Sequence, residues 1–394
     1  MTDNRQPSSV KGFRNVVALG FVSFFTDVSS EMVFSVLPIF VVKELGATKL
    51  ILGFIEGLGE ATGYIFRMFS GVISDRLGKR KVLVFAGYAS STVVKPFFSV
   101  AQSWFDALVI RLGDRVGKGI RTAPRDALLS ESVSESRIGR AFGLHRTLDQ
   151  LGAIVGPALA FLLIPLIGTR SVFWVSFIPG FIALIILIFL VEEKVSQRRR
   201  GVSVLGNIAD VLQRKFTLLL LLVTMFSMGA FNFSFILVRA GELGIPEALI
   251  PIIYAVINVA HTVMGVPTGL LSDRVGRERA LLLGYGAFTL TCLLLITLGG
   301  NPLYALLIAA VYGVYVGVVE TAQRALIPSY AQVNLRATAF GVYNLFVGLA
   351  LLAANVVVGA LWDNLGMQAA FTYSLVLSVA AIIGMMIFIK QTKD

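Results

Sequence analysis

The chain has 394 residues, of which 56% are hydrophobic and only 14% charged, with a mean hydropathy of +0.82 and a net charge of +11. Soluble domains carry roughly a quarter charged residues, so this composition excludes a water-soluble fold, which would leave large apolar patches in water. The basic surplus does not point to nucleic acid either, because it sits in short clusters between apolar runs, such as Arg198–Arg200, and not in one patch interleaved with aromatics.

A helix needs about 20 apolar residues to cross the roughly 30 Å of a bilayer's hydrocarbon. Helices fit here better than a barrel, because each satisfies its own backbone in lipid and the segments lack strict alternation. Residues 1–14 are polar and basic (Arg5, Lys11, Arg14), and the apolar stretch after them is too long for a signal-peptide core, so it reads as an uncleaved first span. Twelve spans are predicted: 15–42, 49–74, 80–102, 104–129, 138–163, 169–191, 214–240, 247–272, 278–299, 302–327, 337–361 and 367–390.

Charges inside these spans are the candidate site. An ionisable group in the bilayer interior costs about 2.5–3.5 kcal/mol or more, so retained charges imply a wet cavity and mutual pairing. In the first span Asp27 sits near mid-membrane beside Ser23, Thr26 and Ser29, with Glu31 one turn on; Asp27 is the leading proton or substrate site. Glu31 and Lys43 also read as outer-surface residues. The second span places Glu56 and Glu60 one turn apart with Arg67 below, and the third holds Lys95. Glu56 and Glu60 read either as site residues or as structural partners of Arg67 and Lys95. The fourth span, RLGDRVGKGIRTAPRDALLS, carries seven ionisable residues; Arg111, Arg115 and Lys118 share one helical face, and Asp114 can neutralise a neighbour. Arg121, Arg125 and Asp126 lie near the inner surface.

The fifth span brings His145, Arg146 and Asp149, then GAIVGPALA, in which Gly152 and Gly156 allow close packing and Pro157 breaks one helical hydrogen bond. The later spans carry fewer charges: Arg239, Glu242, His261, Glu320 and Arg324. His261 reads as a hydrogen-bonded packing residue. Asn232, Tyr312 and Tyr315 are expected to face the cavity. Most other aromatics read as packing or interface anchors, and the single cysteine, Cys292, as a small apolar packing residue. A histidine-rich metal site is excluded by two histidines, and no P-loop, GxSxG or HExxH occurs, so neither an enzyme nor an ATP-driven pump is expected.

Loop charges orient the chain. Arg76, Lys79, Arg80, Lys81, Lys194, Arg198–Arg200, Arg214, Lys215, Arg274, Arg277 and Arg279 fall on one side with both termini, whereas the opposite loops hold little beyond Lys43, Lys49, Arg170 and Arg239. The positive side is expected to be cytoplasmic. The polar stretch VEEKVSQRRRGVSVLGNIADVLQRK divides the chain. The expected organisation is a cytoplasmic N-terminus (1–14), a six-helix bundle (15–191), a cytoplasmic linker (192–213), a second six-helix bundle (214–390) and a short tail (391–394).

The halves repeat. GVISDRLGKRK from Gly71 returns as GLLSDRVGRER from Gly269, with Asp75 matching Asp273 at an offset of 198, and Ala141-Phe142-Gly143 returns at that offset as Ala339-Phe340-Gly341. The GxxSDRxGrR/K loop, present twice after spans 2 and 8, resembles the signature of the major facilitator superfamily. That resemblance covers nearly the whole chain. It implies an all-α fold, with twelve transmembrane helices in two pseudo-symmetric six-helix bundles. It also implies a cytoplasmic latch made by Gly71, Asp75, Arg76, Gly78 and Arg80, and a second by Gly269, Asp273, Arg274 and Gly276. Gly71 and Gly78 are expected to permit close helix approach and a tight turn. GAIVGPALA resembles the GxxxGP motif of the superfamily's drug/proton antiporters, although the motif's closing Gly-Gly is replaced by Ala160-Phe161. The family's span-4 arginine could be Arg111 or Arg115, and spacing does not decide between them.

The expected function is secondary active transport of a small molecule by alternating access, as proton-coupled export of a small organic compound. Alternatives on the same fold are a divalent-cation exporter using Asp27, Glu31, Glu56 and Glu60, or an organic-anion transporter using Arg111, Arg115 and Lys118. The expected partners are a small-molecule substrate, protons and the lipid bilayer, with no cofactor or resident metal, no nucleic acid, and a monomer in the inner membrane.

Overall fold

The structure, a computed structural model, describes residues 9–193, 208–332 and 335–393, apart from the side chains at 9–12, 72, 75, 76, 136, 208, 209, 324, 328, 336, 337, 392 and 393. The expectations for the side chains of Asp75, Arg76 and Arg324, and for Lys194 and Arg198–Arg200, therefore lie outside the described residues.

Among the described residues there are twelve long helices: α1 (Phe13–Glu44), α2 (Lys49–Leu77), α3 (Arg80–Val100), α4 (Trp104–Glu131), α5 (Ile138–Ile167), α6 (Thr169–Leu190), α7 (Arg214–Glu242), α8 (Glu247–Val275), α9 (Arg277–Thr297), α10 (Tyr304–Leu326), α11 (Arg336–Leu365) and α12 (Met367–Lys393). Among the described residues there is no strand. Ten of the helices are long and apolar enough to cross a bilayer. The other two, α2 and α4, are as long but more heavily charged, so they need protein neighbours to shield them.

The surface is apolar and part of the interior is charged. Phe189 is 77% exposed and Leu166 78%, whereas Lys95 and Arg111 are fully buried. Lipid as the solvent selects that inversion, because apolar side chains lose nothing by facing hydrocarbon. Cys292 is free and fully buried on α9.

By contacts the chain forms two units. The first gathers α1 as far as Phe34, α2 from Ile65, α3, α4 from Val109, and α5 and α6. Here α1 lies along α5 and α6, and Val16, Leu19, Val22, Tyr88, Leu128, Leu129 and Leu187 form the main apolar core. The second unit gathers Ser35–Tyr64, Gln102–Leu108 and α7 to α12. Within it the early part of α2 runs against α11 with almost no gap. A Cβ on Gly53 would stand 2.1 Å from the Asn355 carbonyl oxygen, and one on Gly359 2.3 Å from that of Lys49. At the end of this seam the Asp363 carboxylate accepts the first amides of α2, Lys49 N at 3.1 Å and Leu50 N at 2.7 Å. An anion at a helix N-terminus satisfies donors that have no partner in their own helix.

Two spans are interrupted. α1 breaks its regular turns at Ser35–Val36 and ends in a wider π-helical turn, Phe40–Glu44. α7 stops at Gly229, runs extended through Ala230–Asn232 and restarts at Phe233. At the repeat offset of 198, Ser35–Val36 map to Phe233–Ser234, just past the α7 break, so the two interruptions lie within about one turn of each other. Bare backbone at membrane depth needs partners from protein, and α7 has them. Asn355 Oδ1 accepts Asn232 N at 2.8 Å, Asn232 Oδ1 caps Ser234 N at 2.9 Å, Tyr312 donates to Phe231 O, and Tyr373 donates to Met228 O, both at 2.8 Å.

Candidate functional site

The seam between α1 and α5 is built by the glycines of GAIVGPALA. A Cβ on Gly152 would lie 2.4 Å from Phe24 O and 3.1 Å from Asp27 Cβ, and one on Gly156 would lie 2.7 Å from Val28 O and 3.0 Å from Glu31 Cβ. Two small residues four apart thus bring α5 onto α1 at the two acidic positions. The contact brings Asp27 within electrostatic reach of Asp149. Two ionised carboxylates at close quarters repel each other, so one proton held by the pair would relieve them. Asp149 also accepts Ser23 Oγ at 2.6 Å and pairs with Arg146 Nη1 at 3.2 Å. Lys118 and Glu31 lie within electrostatic reach of Asp27.

On α4 the charges are held in a second constellation. Arg111 stacks its guanidinium 4.0 Å above the Phe34 ring, and Arg115 approaches the same ring at 5.4 Å. Cation–π contact favours a desolvated guanidinium and fixes its plane. Asp114 stands 3.9 Å from Arg111 and accepts Ser91 Oγ at 2.5 Å. Lys95 donates to Ser30 Oγ at 2.9 Å. Nearer the inner end, Arg121 stacks on Tyr88 at 4.5 Å and Arg125 pairs with Asp126 at 2.8 Å. Both Arg111 and Arg115 therefore take part in one arrangement around Phe34, next to the α1 interruption.

The remaining expected site residues lie in the second unit. Glu56 is buried and Glu60 half-buried on α2. Asn232 caps the restart of α7. Tyr312 and Tyr315 are packed into a ring cluster, Tyr312 stacked on Phe231 with centroids 5.9 Å apart and Tyr315 against Phe288 at 4.7 Å. His261 on α8 meets Glu320 on α10, Nε2 to Oε2, at 2.8 Å. Among the described residues no three His, Cys, Asp or Glu side chains converge where a metal ion could be held.

The loop glycines behave alike in both halves. Gly78 (φ +65°) and Gly276 (φ +98°) adopt the left-handed backbone that ends a helix, each donating its amide to the serine four residues back, Ser74 O at 3.0 Å and Ser272 O at 3.1 Å. Gly71 corrects the expectation of close helix approach: a Cβ there would make ordinary contact with Ala123 at 3.5 Å, and one on Gly269 would meet open space. Arg80 binds Glu131 of α4 at 2.7 Å, while Glu193 accepts the amides of Arg80 and Lys81, both at 2.9 Å, at the start of α3. Asp273 and Arg274 are exposed.

Comparison with known proteins agrees with this architecture. The family model described as Major Facilitator Superfamily matches residues 19–349 and 217–394. The chain belongs to the Major Facilitator Superfamily. An MFS-type transporter of Methanocaldococcus jannaschii is similar, 33% identical across 93% of this chain and 92% of its own length. The multidrug resistance protein MdtG of Proteus mirabilis is 26% identical over 75% of this chain and 76% of its own. Among solved structures, a mutant of the nucleoside transporter NupG superposes with a TM-score of 0.80 at 12% identity, over 95% of this chain and 99% of that one. Membership makes this a multi-pass membrane transporter of a small molecule.

Several residues of the site are weak signals in this superfamily chain when read singly. Ser23, Asp27 and Ser30 share one face of α1 at positions i, i+4 and i+7, and that spacing could have singled out the serines. Phe34 and Ser91 carry no such signal; only the fold brings them to Arg111 and Asp114.

Proposed function

We propose that the chain is a proton-coupled exporter of a small organic molecule, resident in the cytoplasmic membrane with both termini inside, and working as a monomer by alternating access of bundles 15–191 and 214–390. The observation that carries this reading is the approach of Asp27 and Asp149 at the α1–α5 seam, where a Cβ on Gly152 would lie 3.1 Å from Asp27 Cβ. A proton held there would be shared by two carboxyl groups, with Arg146 paired to Asp149 and Lys118 within electrostatic reach of Asp27 to offset the charge left when it departs. Movement of α1 against α5 would part the two carboxyl groups and release the proton. The printed name of the MdtG relative, a multidrug resistance protein, supports a drug-like cargo and outward direction. Asp75, Arg76 and Arg80, with Asp273 and Arg274, would latch the cytoplasmic side, and Pro157 would let α5 bend.

Asp27→Asn tests the assignment. The substitution keeps shape and one hydrogen-bond acceptor but cannot cycle a proton. In proteoliposomes it is expected to abolish export driven by a pH gradient while thermal unfolding stays near wild type. Gradient-driven transport at the wild-type rate would sink the proposal.

A second reading, an organic-anion cargo, draws on α4, which carries Arg111, Arg115, Lys118, Arg121 and Arg125 against Asp106, Asp114, Asp126 and Glu131, with Asp106 and Glu131 at its two ends. The two readings separate by the sign of linkage. A cargo that displaces the proton binds more weakly as pH falls, whereas an anion that neutralises Lys118 makes protonation of Asp27 easier and binds more tightly. Affinity measured across the pH range for lipophilic cations and for organic anions decides between them.

A further inference from the structure

We infer that His261 and Glu320 form a second proton-binding site, separate from Asp27 and Asp149. The inference rests on the proton-coupled reading above and extends it to the second half of the chain. His261 Nε2 and Glu320 Oε2 are 2.8 Å apart, across the contact between α8 and α10. The two helices are held at short range there, since a Cβ on Gly317 would stand 2.6 Å from the His261 carbonyl oxygen. The pair is neither sealed nor solvated: the side chains are 17% and 30% exposed.

The internal repeat shows that neither pair is needed to build a bundle. At the offset of 198, His261 corresponds to Gly63 and Glu320 to Thr122, while Asp27 corresponds to Met225 and Asp149 to Val347. Each half folds with neutral residues where the other keeps its titratable pair. Ionisable side chains at membrane depth are costly to insert, and a structural role is met without them in the sister half.

On α8 the other charges are Glu247 at its start and Asp273 and Arg274 at its end; α9 places Arg277, Glu278 and Arg279 in its first turn; α7 carries Arg214 and Lys215 in its first turn and Arg239 and Glu242 at its other end, the last two paired at 3.6 Å. On α10 Arg324 follows Glu320 by four residues. The proton arithmetic is simple. In the paired form one proton lies between Nε2 and Oε2. A second adds to the Glu320 carboxylate as it leaves the imidazolium, giving HisH⁺ and a neutral carboxyl. Sliding α10 along α8 changes the separation of the two groups, and with it the ease of that second protonation.

Infrared difference spectroscopy between about pH 5 and pH 8 tests this on the full chain in lipid, without a cargo, because a protonated carboxyl has its own carbonyl stretch. Wild type is expected to show two titrating carboxyl bands. Glu320→Gln should lose one and keep the other, and Asp27→Asn should do the reverse. His261→Gln, which leaves the carboxylate in place, should move the midpoint of the Glu320 band, an effect a purely structural histidine would not have. Should Glu320→Gln fail to fold, as judged from its amide band, His261→Gln carries the test. A Glu320→Gln spectrum identical to wild type, or a His261→Gln spectrum with an unmoved midpoint, overturns the inference and leaves Asp27 untouched. Loss of the Asp27 assignment would appear instead as an unchanged Asp27→Asn spectrum.

Discussion

Gly152→Ala is the perturbation on which the α1–α5 seam can be judged. The added methyl would sit 2.4 Å from Phe24 O, about 1 Å inside an ordinary carbon–oxygen contact, and both atoms belong to helix backbone that cannot swing aside. The helices must part by roughly that amount. Overpacking of this kind costs about 1–3 kcal/mol. Asp149 lies one turn before Gly152 on the same helix, so the parting also draws it away from Asp27. Thermal unfolding in detergent should show the loss of stability, and pH-gradient-driven flux the loss of coupling. Gly143→Ala is the control on the same helix, because a Cβ there meets nothing within 4 Å; it should be neutral or gain up to about 1 kcal/mol from helix propensity. If the two variants unfold at the same temperature and transport with the same pH dependence, the packing argument is refuted.

Other consequences can be checked in the same assays. Asn355→Ala removes the acceptor for Asn232 N at the α7 interruption and should cost about 1–3 kcal/mol; stability equal to wild type would mean that another group takes the amide. Tyr312→Phe deletes only the hydroxyl that donates to Phe231 O, so a smaller loss, about 0.5–1.5 kcal/mol, is expected with the ring cluster intact. Gly78→Ala and Gly276→Ala force a side chain into left-handed backbone and should each lose about 1–2 kcal/mol, whereas Gly269→Ala should be tolerated because its Cβ meets open space.

The order and number of the helices were readable because hydropathy and length set them, and the repeated SDR loops registered one half on the other. That repeat mattered most for α2 and α4, whose charges lower their apolarity below that of the other ten. The site was readable only along single helices. Arg146 and Asp149 are three residues apart and could be paired on sight, but Asp27 and Asp149 meet through a contact 122 positions apart in the chain. Glycines at 152 and 156 announced close packing without saying against what. The extended segment of α7 went unseen because Ala230–Asn232 is flanked by residues as apolar as any span. Its marks are the glycine before it and the capping asparagine at its end. Tyr312 and Tyr315, expected to face the cavity, have rings that join the aromatic packing around Phe231 and Phe288, partners with no mark in the sequence.

The burial of Cys292 has a practical consequence. A thiol with no exposed surface reacts slowly with aqueous maleimides, and the sequence holds no other cysteine. Probe-bearing cysteines can therefore be installed one or two at a time in the native background, and pairs placed across the two halves would report their separation by spin or fluorescence without first rebuilding the wild-type protein.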